Sequence, residues 1–372
     1  MENSATLNHA ASVISTVSPK LRADTALRRY FAQHEDLHPA MRRAVSHAVF
    51  IYYRWFQWLD PKLSTQRRVE AAVKLHLRFK QEPAAVKPEA LAVRAVPEWA
   101  HTEMDLSIDC LRILQQDPAL WLRARPHKSH ALAAKLGTCE RTERAPDALR
   151  YTGRQDLYLT PQFDAGEFEI QDLASQLVGL ACAPQSGETW WDTCAGEGGK
   201  TLHLCDQMMN RGLVWASDRH SGRLATLKRR AKRAQLFNYR AELWDGGTKL
   251  PTRAKFDGIL VDAPCSGVGT WQRNPQARWT TTPEDVRELA AVQLALLNQV
   301  AGSLKPGGRL IYAVCTMTRS ETTAVVEAFS AAQPELEPTP LAGLGSALPA
   351  VQLWPHQLNA NGMFIAAWTR KK

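Results

Sequence analysis

Three features are missing from the sequence as it reads: paired cysteines, a long apolar run and the pattern of a secretory signal in its opening residues. Seven cysteines is an odd number, and Cys110, Cys139, Cys182, Cys194, Cys205, Cys265 and Cys315 form no CxxC pair and no close Cys/His grouping. That spacing encodes neither a disulfide framework nor a zinc site. No metal is therefore expected, and each thiol is either a small buried hydrophobe or a chemical group. The apolar stretch AVFIYYRWFQWL is broken by Arg54 and falls short of the roughly 20 residues of a membrane span. The opening MENSATLNHAASVIST has no basic start, apolar core or small-residue cleavage site of the kind a secretory signal carries. The expectation is a cytoplasmic chain with no membrane partner, monomeric by default.

Acidic residues are in deficit. Against 46 Lys and Arg stand 37 Asp and Glu, a formal charge of +9. Such a balance favours a polyanionic partner, because Lys and Arg release counterions from phosphates. With 45% hydrophobic and 22% charged residues, the composition is that of a folded globular protein.

Three divisions are expected. Residues 1–85 hold helical periodicity in LRADTALRRYFAQ, HPAMRRAVSHAVFIYYRWFQWLD and TQRRVEAAVKLHLRF, apolar residues recurring every three or four positions. Residues 86–165 begin in a proline-containing linker or loosely packed stretch. They continue as a small α+β module with a helix in EMDLSIDCLRILQQ and strands in LWLRARP and LYLT. Over 166–372 helices alternate with strands, among them ETWWDTC, GLVWASD, RAELWD, FDGILVDAP and GGRLIYAVCT. That alternation implies an α/β domain with a mostly parallel sheet, whose ligands lie beyond the carboxyl ends of the strands.

The first of those strands runs into DTCAGEGGKT, a loop whose glycines let backbone amides approach a ligand at a helix start. A dinucleotide fingerprint fails because Thr201 occupies the third glycine position, and a phosphate P-loop nearly matches at GGKT but has Cys194 at its first glycine position. S-adenosylmethionine is the third candidate. Asp218, Asp245 and Asp262 close three successive strands and would ring one cleft, although strand-end aspartates also serve as caps and turn formers. Cys265 in DAPCSGVGTW follows the strand that Asp262 closes, and Cys315 in YAVCT stands at the end of one further apolar strand.

The motifs DTCAGEGGKT, FDGILVDAPCSGVGTWQRNPQARW and YAVCTMTRSE, in that order, resemble the RsmB-type (Fmu/Sun, NOL/NSUN-like) RNA cytosine-C5 methyltransferases. IQDLASQ is similar to the family's lead-in helix, PEW and DPALWLRARP to its pre-catalytic module, and HPAMRRAVSHAVFIYYRW to a NusB-type RNA-binding bundle. The resemblance implies a Rossmann-like class I methyltransferase fold with a mixed, mostly parallel seven-stranded sheet. It implies S-adenosylmethionine as cofactor and RNA as partner, with small-subunit ribosomal RNA first among substrates.

Carried over by position, the resemblance makes Cys315 the nucleophile that adds to C6 of cytosine and Cys265 the residue that assists product release. Asp262 would contact cofactor and base, and Lys200 would lie near the reacting atoms. Cys194, Ala195, Gly196, Glu197, Gly198, Gly199 and Lys200 would bind the cofactor, joined by Asp218, Arg223, Asp245 and Asp262. The chemistry is coherent: cytosine C5 is too poor a nucleophile unaided, and a thiolate at C6 pushes electron density onto it. Departures from the family pattern are Glu197 for proline, Gln272 for arginine, Ala313-Val314 for Ser-Thr and Thr322 for asparagine. None removes a group the mechanism requires. A transfer-RNA methyltransferase and a non-catalytic RNA-binding assembly factor stay open, as does a P-loop NTPase.

Other features carry two readings. The helix RLATLKRRAKRAQ presents Arg223, Lys228, Arg229, Arg230, Lys232 and Arg233 without an acid, as a solvated face or as an RNA contact. Tyr52, Tyr53, Trp55, Phe56 and Trp58 suit a bundle core better than base stacking. Trp271 and Trp279 flank the Cys265 loop as packing or stacking groups, and His356 is a candidate cleft residue without a role.

Overall fold

The computed structural model describes residues 4–18 and 21–372, so Met1, Glu2, Asn3, Pro19 and Lys20 of the expected bundle lie outside the described residues. The chain divides into two compact units, one formed by 1–118 with 267–283 and the other by 119–266 with 284–372.

In the first unit the expected helices form as Ala23–Gln33, Pro39–Arg54 and Thr65–Gln81, preceded by Ser4–Thr16, which the sequence reading did not include. Proline at the first position starts Pro39–Arg54 and the Ser64 hydroxyl caps Thr65–Gln81, both favourable helix beginnings. Val13, Val45, Ala48, Val49, Val69 and Ala72 are wholly buried, each large aliphatic stabilising the bundle by about 1.5–3 kcal/mol before entropy is counted. Tyr52, Tyr53 and Trp55 are buried with them, which is the core reading of the aromatic cluster. The proline-containing stretch is a packed segment: Leu91, Ala95 and Val96 are buried and Pro88–Arg94 is helical.

His47, His76 and Asp117 converge within metal-ligating distance of one another, yet their lone pairs are already used. Trp55 Nε1 donates to His76 Nδ1 (3.3 Å), so the ring proton sits on Nε2 and points at Asp117 Oδ2 (3.2 Å), while Arg54 Nη1 donates to Asp117 Oδ1 (3.2 Å). Burial raises the Asp117 pKa, but bonds from His47 and His76 and the Arg54 charge carry it well below the carboxylate range. The trio is a hydrogen-bonded hub.

The second unit contains two sheets. Leu120–Ala124 (β1), Cys139–Arg141 (β2), Ala148–Tyr151 (β3) and Phe168–Ile170 (β4) form an antiparallel sheet in the order β2-β3-β1-β4. LYLT, expected as a strand, is a 3-10 turn. The expected boundaries at 85/86 and 165/166 therefore move. Residues 86–118 pack into the helical unit, and a cut at 165 would sever β4 from its partner β1.

The larger sheet comprises Thr189–Asp192 (β5), Leu213–Asp218 (β6), Tyr239–Leu243 (β7), Phe256–Asp262 (β8), Leu304–Val314 (β9), Leu336–Pro338 (β10), Ala350–Leu353 (β11) and Met363–Arg370 (β12). Seven run edge to edge as β10-β12-β9-β8-β5-β6-β7, and the eighth, β11, pairs with β12. Pairings from β9 through β7 are parallel and those of β12 antiparallel. This is the Rossmann-like arrangement expected. Trp190, Leu260, Ile311 and Ala313 bury one face; Trp191, Ile259, Val261 and Tyr312 bury the other. The chain goes outward from β5 to β7 and returns to β8 on the opposite side of β5. Strand order reverses there, and a crevice opens beyond the carboxyl ends.

Candidate active site

That crevice is a cavity of about 560 Å³, within the roughly 300–1,000 Å³ of small-molecule sites. After β5 the chain turns through Gly196 (φ +54°) and Gly198 (φ +86°) into the helix Gly199–Gln207. Of the expected cofactor residues, Cys194, Ala195, Gly196, Glu197, Gly199, Lys200, Asp218, Arg223, Asp245 and Asp262 line the cavity. Gly198 does not. A Cβ there would lie 2.5 Å from Leu227 Cγ, so this glycine lets the loop settle on the neighbouring helix Ser221–Arg233.

The aspartates differ in what they hold. Asp218 accepts from Gly196 N (3.0 Å) and His220 N (2.8 Å), with the Arg223 guanidinium at 3.9 Å. It thus ties the glycine loop to the end of β6 and keeps lone pairs for a ligand. Asp245 accepts from Gly247 N (2.8 Å) in a turn. Asp262 Oδ2 accepts from Lys200 Nζ at 2.6 Å. Burial pulls the Lys200 pKa down, but the Asp262 charge and hydrogen bond more than offset it, and the ammonium is retained. A lysine committed to a carboxylate is not aimed at a phosphate, which disfavours the P-loop reading. Behind the loop, burial pushes the Asp192 carboxyl up to about 7, against a 2.6 Å bond from Thr201 Oγ1.

Cys265 and Cys315 meet where β8 and β9 end. Their Sγ atoms are 3.2 Å apart, and Asp262 and Lys200 act electrostatically on Cys315. The hydrogen bond with Cys265 lowers the Cys315 pKa, outweighing burial and the Asp262 charge, which raise it. Of the four residues expected to do chemistry, Lys200 and Asp262 line the crevice, while Cys265 and Cys315 lie outside its lining, within electrostatic reach of that pair.

Sequence reasoning missed part of the wall. Trp244, Val292, Ala295 and Leu296 give it an apolar side, the last three from one face of the helix Pro283–Ala301; their three- and four-residue spacing was the available signal. It also missed Glu321, which bonds the residues after both cysteines. Of the basic helix, Arg230 and Arg233 are occupied by Glu169, so only part of that run faces solvent freely. In the helical unit Trp271 is buried edge-on to Trp99, and Trp279 Nε1 donates to Tyr53 O (2.6 Å). Both are packing groups. His356 does not line the cavity.

The family model described as "16S rRNA methyltransferase RsmB/F" matches residues 179–369, just over half of the chain. The chain belongs to this family. It is 36% identical over 252 residues to the probable ribosomal RNA small subunit methyltransferase B of Bacillus subtilis, covering 64% of this chain and 56% of that protein. It is 33% identical over 265 residues to ribosomal RNA small subunit methyltransferase B of Cronobacter sakazakii, covering 68% and 60%. The chain thus spans somewhat over half the length of these curated relatives. Among solved structures it is similar to PH0851, with a TM-score of 0.80 and 22% identity over 100% of this chain and 99% of that one. It is also similar to a methyltransferase homolog protein from Pyrococcus horikoshii, with a TM-score of 0.60 and 25% identity over 72% and 91%.

The cofactor of this RsmB/F chain is S-adenosylmethionine, and the cavity's donor set fits it. The space at Gly196 is open, with no atom within 4 Å of a would-be Cβ. Asp218 and Asp245 offer acceptors for hydroxyls, Trp244, Val292 and Leu296 offer an apolar wall, and the loop and Asp262 offer polar groups for the amino-acid end.

Proposed function

We propose that the chain transfers a methyl group from S-adenosylmethionine to C5 of a cytosine in RNA, small-subunit ribosomal RNA first, through a covalent adduct on Cys315. The observation that carries this reading is the pair of thiols 3.2 Å apart, under the electrostatic influence of the Lys200–Asp262 ion pair, which itself lines a cavity that fits the cofactor. The names of the curated relatives support the choice of RNA.

The Cys315 thiolate attacks C6, forming an S–C6 bond and moving the C5=C6 π electrons toward C5. Negative charge spreads to N3 and O2, and the proton that N3 takes would come from the Lys200 ammonium through the Asp262 carboxylate, leaving Lys200 as the neutral amine. Bound S-adenosylmethionine supplies the electrophilic methyl group that C5 takes. Loss of the C5 proton to water then re-forms the C5=C6 bond and expels Cys315 as thiolate, the step in which Cys265 acts, and the N3 proton returns to the Lys200–Asp262 pair. The target base must leave its stack for a thiol to reach C6.

The test is to incubate wild type, Cys265→Ala and Cys315→Ala with S-adenosylmethionine and unmodified ribosomal or transfer RNA, then resolve covalent protein–RNA adducts on denaturing gels. Cys265→Ala is expected to accumulate adduct with ribosomal RNA, and Cys315→Ala to form none. The converse pattern would exchange the two roles. Adduct on transfer RNA alone would move the substrate. A chain that binds both ligands yet neither methylates nor forms adduct would be an RNA-binding factor.

A further inference from the structure

Glu321 is wholly buried in the turn after β9, and no cation is among its five donors. Oε1 accepts from Ser266 N (2.8 Å) and Gln293 Nε2 (3.0 Å). Oε2 accepts from Ser266 Oγ (2.5 Å), Thr316 Oγ1 (3.0 Å) and Thr318 Oγ1 (2.9 Å). A buried carboxylate is expensive unless its lone pairs are filled. The donors that fill these come from three places, the residue after Cys265, the residues after Cys315 and Gln293 on the helix Pro283–Ala301.

The linkage is redundant. Ser266 Oγ and Thr316 Oγ1 also touch each other at 3.1 Å. Gln293, from the helix Pro283–Ala301, donates to Pro264 O (3.0 Å) and accepts from Tyr312 Oη (2.8 Å), whose hydroxyl also reaches Glu321 O (2.7 Å). The loops ending β8 and β9 are therefore clamped from below by one carboxylate. The thiols one residue away on each loop have little freedom to separate.

We propose that Glu321 is the positioning residue of the two-thiol centre: through Ser266 and Thr316 it sets the distance and mutual direction of the Cys265 and Cys315 Sγ atoms. Adjacent β-strands alone would not do this, because the cysteines lie beyond the ladder, in loop. The proposal rests on the proposed function only for its effect on turnover; the effect on the thiols is independent of it.

The experiment separates the two. In the full chain, without RNA, diamide takes two protons and two electrons from a pair of thiols in contact, leaving a disulfide and the hydrazine. The Cys265–Cys315 crosslink is timed by peptide mass spectrometry in wild type, Glu321→Gln and Ser266→Ala. Gln retains the shape of Glu but turns two hydrogens toward donors. The crosslink is expected to form about tenfold more slowly in Glu321→Gln and a few-fold more slowly in Ser266→Ala, the scale of losing charged buried hydrogen bonds. Cofactor affinity is expected to stay within about twofold in both, since neither residue lines the cavity. With cytosine-containing RNA, kcat is expected to fall alongside the crosslinking rate while KM holds.

Wild-type crosslinking rates in both variants would overturn the proposal. So would a loss of cofactor binding in both that parallels the loss of crosslinking, which would mean a general collapse. If crosslinking slows as expected but no variant, wild type included, methylates cytosine, the clamp stands and the cytosine reading fails.

Discussion

A thiol in a buried pocket ought to be a poor acid, since burial disfavours the thiolate. Cys182, Cys194 and Cys205 obey, burial pushing Cys194 up to about 12. Cys315 departs from them because Cys265 offers a hydrogen bond at 3.2 Å. Removing that donor leaves burial and the Asp262 charge to act against Lys200, so the thiolate becomes harder to form. Alkylation of Cys315 by iodoacetamide, followed by mass spectrometry against pH, should show an inflection below the usual thiol range in wild type. In Cys265→Ala the inflection should move to higher pH. A shift of about one unit would slow alkylation near neutrality about tenfold. An unmoved inflection would leave Cys265 no part in activating the nucleophile. At this scale the site was legible where it is linear: Cys265, Cys315, Lys200 and Asp262 sit in contiguous motifs. Glu321 was not, although it closes the motif YAVCTMTRSE, because a linear motif does not announce that donors from two loops and a helix will close around its last carboxylate.

Elements show the same division. Helices and strands of the larger sheet fall where periodicity put them, since one buried face per element fixes the apolar spacing. The short strands β2, β3 and β11 run four residues or fewer and carry no such period, and LYLT has strand composition but turns after Asp156, whose carboxylate accepts from Tyr158 N. The glycine loop was legible as a loop, but not which glycine does what. Gly196 and Gly198 both adopt left-handed backbone, yet a Cβ at 196 meets nothing while one at 198 meets Leu227 at 2.5 Å. Gly196→Ala should therefore cost only the conformational penalty, about 1 kcal/mol. Gly198→Ala should add displacement of Leu227 from the core, for a total of about 2–3 kcal/mol. Urea unfolding distinguishes them; equal losses would mean that Leu227 gives way without cost.

At the scale of the molecule, the segment 267–283 decides how the chain can be cut. It lies in sequence between β8 and β9, inside the catalytic part, and read from motifs alone it belongs there. In the structure it belongs to the helical unit, for a reason visible in two arginines. Arg278 is wholly buried and donates to Ala95 O (2.8 Å) and Leu114 O (2.9 Å), and Arg54, equally buried, donates to Gln272 O (3.1 Å). Burial brings Arg278 down to about 9 and Arg54 to about 10, so both remain charged at neutral pH and need those carbonyls. A chain shortened to begin at Ala119 would keep the segment and lose its acceptors, leaving Trp271, Trp279 and Arg278 without the residues that cover them. Orphaning such groups costs about 3–5 kcal/mol, a large share of a domain's roughly 5–15 kcal/mol. The shortened chain should melt at lower temperature and bind an apolar dye at 25 °C, where the full chain does not. If it instead melts cooperatively at the full-chain temperature and binds S-adenosylmethionine equally well, the segment is held by the catalytic unit and the helical unit is dispensable to its folding.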